Sequence, residues 1–261
     1  MVQPTTLKLY SVYYKPFPLH PKAHYIVPIQ AGAALHTRLP YLGDDTGDNI
    51  SLRNHLYSEL SAAYWIFKNA ERDTDAWGLC HYRRYLIPLY RKYFFKPKSR
   101  RYFPTRQQVL DRLLTPQLYT HYTSLLATHD VLVQRPVPVW RTGRKLLTIK
   151  EAYYHNHIAE HWEVMMQVVV ELYPAYAPSI ESFGQGKYMW FNNVMIARWE
   201  LWDQYLSWLF AVLFEIERRI TLPGKGYQER VFGFMAERLH NLYIYHNNLK
   251  AAHLTLALFE D

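Results

Sequence analysis

The chain of 261 residues contains one cysteine, which excludes an internal disulfide framework and is typical of a protein from a reducing compartment. Residues 1–10 lack the apolar core of a secretory signal. No apolar run approaches the roughly 18 residues of a membrane-spanning helix, and internal repeats and low-complexity tracts are also missing. We therefore expect a cytoplasmic protein, either free or peripheral on the inner face of the cell membrane.

Aromatic residues and positive charge are abundant instead. The chain has 23 tyrosines and 8 tryptophans, is 49% hydrophobic and carries a net charge of +8. Tyrosine and tryptophan combine an apolar ring with a polar group, so they are common in ligand clefts and membrane interfaces as well as in cores. The positive charge favours an anionic partner, such as nucleic acid, an acidic membrane or a phosphorylated substrate.

The order of the predicted elements indicates an α/β fold, because short apolar segments alternate with longer segments of helical periodicity. The first strand, helix and strand are joined by short links and predict a right-handed βαβ unit. The predicted strands are 7–14, 26–30, 76–80, 130–134, 188–197 and 242–245. The predicted helices are 54–69, 105–114, 148–173, 199–220 and 229–239, the third of which begins with a capping-box pattern at Thr148 and Glu151.

A cluster of polar residues follows the apolar strand 76–80. His81, Arg83 and Arg84 lie there among tyrosines. Open α/β sheets bind ligands beyond the carboxyl ends of their strands, and guanidinium groups are suited to phosphates. The cluster therefore predicts a site for an anion with an organic body, such as a nucleotide diphosphate, with a solvated basic turn as the alternative. Adjacent residues of an extended segment point to opposite sides, so if only one of the two arginines points into the cleft, Arg83 shares the side of His81 and is favoured over Arg84.

The loop 43–49 carries three acidic residues, Asp44, Asp45 and Asp48. Carboxylates at such a place bind Mg²⁺ or Mn²⁺, or accept hydrogen bonds from a ribose. Aspartate and asparagine also favour turns and cap the helix that follows. Ligand binding and a purely structural role both stay open for this loop.

Two further patterns indicate other functions. His157 and His161 match H-x-x-E-H, with the spacing of two zinc ligands on one helix and Glu229 or Glu237 available as a third, as in a zinc-dependent hydrolase. The basic and aromatic segment 90–103 is suited to stacking on RNA or single-stranded DNA, or to anionic lipid headgroups. No recognised nucleic-acid motif accompanies this segment, so we expect no nucleic-acid partner and keep a non-catalytic RNA- or lipid-binding module as an alternative.

Several segments, taken in order, resemble a bacterial family long labelled only as a domain of unknown function. They are Tyr25-Ile26-Val27-Pro28-Ile29-Gln30-Ala31-Gly32-Ala33, Gly43-Asp44-Asp45-Thr46-Gly47-Asp48-Asn49-Ile50-Ser51, Tyr57-Ser58-Glu59-Leu60, His81-Tyr82-Arg83-Arg84-Tyr85, Asn192-Asn193 and Glu237-Arg238-Leu239. The family is found in capsular, exopolysaccharide and lipopolysaccharide O-antigen loci, and its members are regarded as glycosyltransferases. The resemblance covers about residues 8–245.

The resemblance implies a nucleotide-sugar transferase of the GT-A type. Its fold would be a single Rossmann-like α/β domain, with a mixed, mostly parallel sheet flanked by helices over residues 1–261. The part at about 7–135 would bind the nucleotide, and the helical part at about 136–250 would bind the acceptor. The expected donor is a UDP-sugar, with galactose in pyranose or furanose form as a guess from the family's setting. The expected acceptor is a growing glycan on a polyprenyl diphosphate at the anionic inner membrane face.

In GT-A enzymes a strand usually ends in an Asp-x-Asp motif that holds Mn²⁺ on the donor diphosphate. Here the strand that best fits that place ends in His81, Arg83 and Arg84, whose positive charge would stabilise the departing diphosphate in the transition state. The resemblance therefore implies transfer that requires no metal. The acidic loop 43–49 is the fallback site for Mn²⁺ or Mg²⁺.

The resemblance also implies roles for residues in several other segments. Asn192 and Asn193 would contact the donor sugar or the acceptor, and Asp130 and Glu237 are candidate bases for the acceptor hydroxyl. The predicted donor-binding residues are Tyr13, Lys15, Asp44, Asp45, Asp48, Asn49, Glu59 and Arg230.

Overall fold

The computed structural model describes residues 5–89, 98–139 and 145–260. A mixed β-sheet with helices on both faces forms the body of the described chain. The strands are Leu7–Tyr13 (β1), Ile26–Gln30 (β2), Leu42–Gly43 (β3), Ala76–His81 (β4), Arg84–Ile87 (β5), Arg100–Phe103 (β6), Val131–Gln134 (β7), Val137–Pro138 (β8), Tyr188–Met189 (β9), Met195–Arg198 (β10) and Ala251–Phe259 (β11). The helices are Asn54–Tyr57 (α1), Leu60–Asn69 (α2), Gln107–Leu113 (α3), Pro116–Leu126 (α4), Ile149–Asn156 (α5), Ala159–Leu172 (α6), Ala177–Gly184 (α7), Trp199–Arg219 (α8) and Val231–His246 (α9). This architecture confirms the predicted mixed α/β fold.

The strand pairing divides the sheet into a parallel part and a mixed part. Strands β3, β2, β1 and β4 lie side by side and are all parallel, as the predicted βαβ unit requires. Strands β10 and β5 both pair antiparallel with β4. Strand β11 pairs with β5 and with β7, and β7 pairs with β10, so these five strands form a closed ring. The parallel strands deliver their carboxyl ends to one edge of the sheet.

Two apolar cores cover the two faces of the sheet. Along β1, Leu9 points to the core formed with α3 and α4, whereas Val12 points to the core formed with α2, α8 and α9. Strand β4 is buried on both faces, which accounts for its uninterrupted apolar sequence. On one face Trp77 stacks on Trp202 with ring centroids 4.0 Å apart. On the other face Cys80 is a buried core residue, as its sequence context predicts.

The carboxyl-terminal part of the chain differs from the prediction. Residues 242–245, predicted as a strand, are the end of α9, and the last strand is β11, which sequence analysis missed. Helix α9 is buried nearly all round, so no polar face marks its period. A short apolar run without such a face fits a helix and a strand equally well. Helix α4 was also missed; Thr115 caps it by accepting a hydrogen bond from the Leu118 N–H.

Three predicted elements are interrupted, and each interruption is local. The helix predicted over 54–69 is broken at Ser58, where φ is 51°, and the helix predicted over 148–173 is broken after Asn156. Its capping box at Thr148 is confirmed by both reciprocal hydrogen bonds. The strand predicted over 188–197 is split into β9 and β10 by Asn192 and Asn193, whose φ angles are 75° and 48°.

Among the described helices, none combines the length and apolarity that a membrane crossing requires.

Candidate functional site

A cleft opens at the carboxyl ends of β1 and β4, the edge at which open α/β sheets bind ligands. It consists of two adjoining cavities of about 270 Å³ and 170 Å³, and five residues line both of them: Ser58, Glu59, His81, Arg84 and Arg230. The larger one also contains Arg83 and is called the arginine cavity here. The smaller one also contains Glu237 and is called the carboxylate cavity.

A tight hairpin between β4 and β5 places the His-Arg-Arg cluster in the cleft. His81, the last residue of β4, pairs with Arg84, the first residue of β5, so Tyr82 and Arg83 form the turn. Directly opposite residues of an antiparallel pair project on the same face, and His81 and Arg84 therefore both line the two cavities. Both arginines line the arginine cavity, and Arg84 rather than Arg83 accompanies His81 in both cavities, because the chain reverses at Tyr82 and Arg83 instead of continuing extended.

His81 is neutral in this cleft. Its Nε2 donates a hydrogen bond to the backbone carbonyl of Asn192 at 2.8 Å. Burial, reinforced by the nearby Arg84 cation, lowers the pKa of His81 to about 3. The prediction that His81 contributes positive charge is therefore corrected. The positive charge of the cleft belongs to Arg83, Arg84 and Arg230.

Arg84 is close to the Arg83 cation and to the carboxylates of Glu59 and Glu237. Burial and the charge of Arg83 lower the pKa of Arg84, while Glu59 and Glu237 act in the opposite direction. Its Nε is buried and has no hydrogen-bond partner within the described ranges. A buried guanidinium N–H without a partner is unfavourable.

A two-residue turn holds both carboxylates in place. The Asn192 backbone N–H donates to Glu237 Oε1 at 2.8 Å, and Asn193 Nδ2 donates to Glu59 Oε1 at 2.7 Å. Both asparagines have left-handed backbone angles, a conformation that asparagine tolerates better than most residues. Because the carbonyl of Asn192 also accepts from His81, the turn joins the histidine and both glutamates in one network.

The two glutamates have raised affinities for protons. Burial raises the pKa of Glu237, although Arg238 at 3.0 Å and the Asn192 amide oppose the shift. Burial also raises the pKa of Glu59, opposed by the Asn193 amide. A carboxyl group with a raised pKa in a cleft is suited to accept a proton from a substrate.

The family described as "Domain of unknown function (DUF4422)" matches residues 8–248 of the chain. The chain belongs to this family. The apo structure of WbbM, a bifunctional glycosyltransferase, is similar to it with a TM-score of 0.87 and 28% sequence identity. The similarity covers 98% of this chain and 46% of that one, so the chain spans about half the length of that structure. No curated protein matches the chain.

In this DUF4422 chain, Asp44 is a structural residue and not a ligand of the cleft. It is fully buried, and its carboxylate accepts hydrogen bonds from the backbone N–H groups of Gly32 and Ala33, each at 2.9 Å, and from the Ser51 hydroxyl. At Gly32, where φ is 67°, a Cβ atom would lie 2.6 Å from the Asn54 side chain. Asp44 therefore fixes the loop after β2, and its predicted donor and metal binding is wrong.

The other acidic-loop residues are also used locally. Asp45 pairs with Arg38 at 2.6 Å, Asp48 accepts from the Tyr64 hydroxyl at 3.0 Å, and Asn49 bonds the backbone of its own turn. They line neither cavity. Within the described ranges, no group of three or more His, Cys, Asp or Glu side chains is arranged to hold a metal ion. The fallback metal site in the acidic loop is therefore not formed.

Replacing Asp44 by asparagine is expected to destabilise the fold by about 2–3 kcal/mol, because an amide N–H₂ would face a backbone N–H that the carboxylate now accepts. Urea denaturation measures this change. The matched control is Asp45→Asn, which removes a partly exposed ion pair and is expected to cost at most about 1 kcal/mol. Equal effects of the two changes would contradict the structural role of Asp44.

Tyr14, and not Tyr13, faces the cleft at the end of β1. Tyr13 is fully buried, and its hydroxyl donates to the Leu19 carbonyl at 3.0 Å, so its predicted contact with the donor is wrong. Tyr14 is half exposed and lines the arginine cavity. The Nζ of Lys15 lies 5.5 Å from the centre of the Tyr14 ring, and Lys15 lines neither cavity. The alternation of side chains along a strand sends the two tyrosines to opposite sides.

Asp130 lies at the opposite edge of the sheet from the cleft. It precedes β7, and its carboxylate accepts from the Lys250 N–H at 2.7 Å. Strand β7 is antiparallel to β10, which is antiparallel to β4, so β7 and β4 run in the same direction. The amino end of β7 is therefore remote from the carboxyl end of β4. The prediction that Asp130 is a catalytic base is wrong.

The two histidines of the H-x-x-E-H pattern do not form a zinc pair. His157 follows the end of α5, and His161 belongs to α6, so they are not neighbours on one helix. The His157 ring packs on Phe234 with centroids 4.3 Å apart, and His161 is buried. Burial lowers the pKa of His157 to about 4. The arrangement contradicts the zinc-hydrolase alternative.

Asn192 lines the carboxylate cavity, whereas Asn193 does not, and contact of Asn192 with a sugar or an acceptor stays a prediction. Asn193 is buried beneath the cleft, where it supports Glu59. Sequence analysis missed Ser58 and His55, which line the arginine cavity. Ser58 interrupts the predicted helix and turns Glu59 into the cleft. The only signal for Ser58 was its place in the segment 57–60 that carries the family resemblance.

The basic and aromatic segment 90–103 is described only in part. Residues 90–97 lie outside the described residues. Arg100–Phe103 form β6, which pairs with β11 in the sheet. Binding of an anionic membrane surface by this segment stays a prediction, and binding of RNA stays the alternative.

Proposed function

We propose that this chain transfers a sugar from a nucleotide-diphosphate donor to a glycan acceptor. The similarity to about half of a bifunctional glycosyltransferase supports this proposal. The observation that carries it is the position of Arg84, which lines both cavities together with Arg230 and Glu59. The arginine cavity adds the Arg83 cation, and the carboxylate cavity adds Glu237. The cleft thus offers positive charge for a leaving group next to a proton acceptor.

The donor diphosphate would bind in the arginine cavity. During transfer, the bond between the anomeric carbon and the diphosphate oxygen breaks, and the nucleotide diphosphate leaves with the electron pair. The guanidinium groups of Arg83, Arg84 and Arg230 donate hydrogen bonds to its oxygens as this charge develops. The exposed ring of Tyr14, at the same cavity, is suited to stacking on the nucleotide base.

We further propose that the arginines take the place of a divalent metal. Strand β4 ends in His81 instead of carboxylates, and the Nε2–H of His81 already donates to a backbone carbonyl. Glu59 and Glu237 lie beside the Arg84 cation, which would repel a second cation. These residues do not fit a Mn²⁺ site.

The acceptor hydroxyl would approach through the carboxylate cavity. Its oxygen forms the new bond to the anomeric carbon, and its proton passes to Glu237. The raised pKa of Glu237 suits it to this role. Glu59 would accept hydrogen bonds from hydroxyls of the transferred sugar. Presentation of the acceptor on a polyprenyl diphosphate at the membrane stays a prediction.

A thermal-shift panel of nucleotide sugars tests the donor and the metal together. We expect a UDP-sugar, with UDP-galactopyranose and UDP-galactofuranose in the panel, to raise the melting temperature, because it binds only the folded chain. The shift is expected to be the same with and without EDTA. A shift that vanishes with EDTA and returns with Mn²⁺ would contradict metal independence. The absence of any shift across UDP-, GDP-, dTDP- and CMP-sugars would contradict the proposed function.

A further inference from the structure

Three aromatic rings form a platform beside the carboxylate cavity. Phe234 lines that cavity and packs against Tyr227, with ring centroids 4.9 Å apart, and against His157 at 4.3 Å. The rings of Tyr227 and His157 are nearly parallel, with an interplanar angle of 8°. Tyr227 is 62% exposed, so this aromatic platform is accessible from solvent beside the carboxylate cavity.

Hydrogen bonds from Gln228 hold the aromatic platform in place. Gln228 Nε2 donates to the Asn156 carbonyl at 2.8 Å, and its Oε1 lies 3.2 Å from His157 Nδ1, which donates to it. Since the lowered pKa keeps His157 neutral, this bond is an ordinary N–H donor to an amide oxygen. The histidine of the H-x-x-E-H pattern therefore anchors the segment that carries Tyr227.

Arg230 joins the aromatic platform to the cleft. Its guanidinium lies 5.2 Å from the centre of the Tyr227 ring and 5.4 Å from that of Phe234, within the range of cation–π contacts. Arg230 also lines both cavities. A molecule that extends out of the carboxylate cavity past Arg230 would thus meet the aromatic platform.

We propose that the aromatic platform is a saccharide subsite that binds a neutral hexopyranose unit of the acceptor, an assignment that rests on the proposed function. The C–H face of a pyranose ring is flat and apolar and fits an aromatic ring, while Arg230 donates hydrogen bonds to ring hydroxyls. An apolar surface that carries a small number of polar groups is typical of sites for small ligands. Glu237 lines the adjoining carboxylate cavity and not the arginine cavity, and its carboxylate disfavours a phosphate there. A neutral sugar is therefore favoured over a second nucleotide.

Saturation-transfer difference NMR on the full chain, without nucleotide, tests the subsite. The probes are the methyl pyranosides of galactose, glucose, mannose, rhamnose and N-acetylglucosamine. We expect at least one to receive saturation from the native protein, about tenfold weaker binding for Tyr227→Ala, and retained binding for Tyr227→Phe. The control is Tyr245→Ala, a half-exposed tyrosine about 16 Å along α9 from Phe234, which is expected to change nothing.

The subsite would be overturned if no pyranoside binds the native protein, or if Tyr227→Ala binds as well as the native protein does. The shift in melting temperature with a nucleotide sugar shows separately whether Tyr227→Ala is folded with its donor site intact. If no nucleotide sugar binds but a pyranoside binds through Tyr227, the proposed function fails while the saccharide site stands.

Discussion

Replacing Arg84 by methionine is expected to lower kcat for sugar transfer by about 10³-fold, the loss typical when a cation that stabilises a transferring phosphate is removed. Methionine is similar in length but carries no charge. The side chain lines both cavities, so its guanidinium group is within reach of a leaving diphosphate bound there. Release of nucleotide diphosphate during steady-state turnover measures the effect.

Two further arginine variants separate catalysis from folding. Arg84→Lys keeps the charge but loses the planar guanidinium, and we expect it to recover part of the lost rate. Arg38→Met makes the same change at an exposed arginine that pairs with Asp45 outside the cleft, and is expected to leave kcat unchanged. A loss of less than tenfold in Arg84→Met, in a variant with the native melting temperature, would remove Arg84 from the proposed mechanism.

Replacing Glu237 by glutamine is expected to lower kcat by about 10²- to 10⁴-fold, the usual contribution of a positioned general base. The amide is similar in shape and still offers an oxygen to the Asn192 N–H, which now donates to Glu237 Oε1. The glutamine amide, however, takes no proton from the acceptor hydroxyl. The shift in melting temperature that a nucleotide sugar produces should be unchanged, because the donor diphosphate lies in the arginine cavity.

The pH dependence of the rate provides an independent test of Glu237. A base acts in its deprotonated form, so the rate falls as the pH drops through its pKa. Because burial raises the pKa of Glu237, this fall is expected at a higher pH than for an ordinary glutamate. The fall in rate at low pH should be absent in Glu237→Gln and should persist in the control Glu59→Gln. Native turnover in Glu237→Gln would assign proton removal to another group.

Local patterns were sufficient for much of the fold. Strands β1, β2 and β4 are apolar runs bounded by turn residues, and their burial in the sheet follows from that composition. The capping box at Thr148 was predicted because its two hydrogen bonds join residues three positions apart. The predicted helix ends at residue 239, whereas α9 continues to His246. Because α9 is buried nearly all round, its sequence shows no helical period near residue 242.

The site was predicted only where its chemistry follows from one segment. The His-Arg-Arg cluster at the end of β4 was identified because a strand that ends in cations is a local feature. Which arginine shares the face of His81 depends on the reversal of the chain at Tyr82 and Arg83, and pairing with β5 sets that reversal. Asp44 carries the same side chain whether it binds a ligand or the backbone of Gly32, so its burial alone separates the two roles.

The amino-acid sequence therefore specified the α/β class, the positive charge and the loop that carries it, since each depends on composition or on neighbours within a few residues. The folded chain specified the neutral state of His81 and the positions of Glu59 and Glu237. The positions of Glu59 and Glu237 depend on the turn at Asn192 and Asn193, which contacts Glu237 across 45 positions and Glu59 across 134. The neutral state of His81 depends on burial and on the Arg84 cation, which outweigh the opposing effect of the Asn192 carbonyl on its pKa. Such contacts arise only from packing between distant segments, and burial then changes how readily each group takes up a proton.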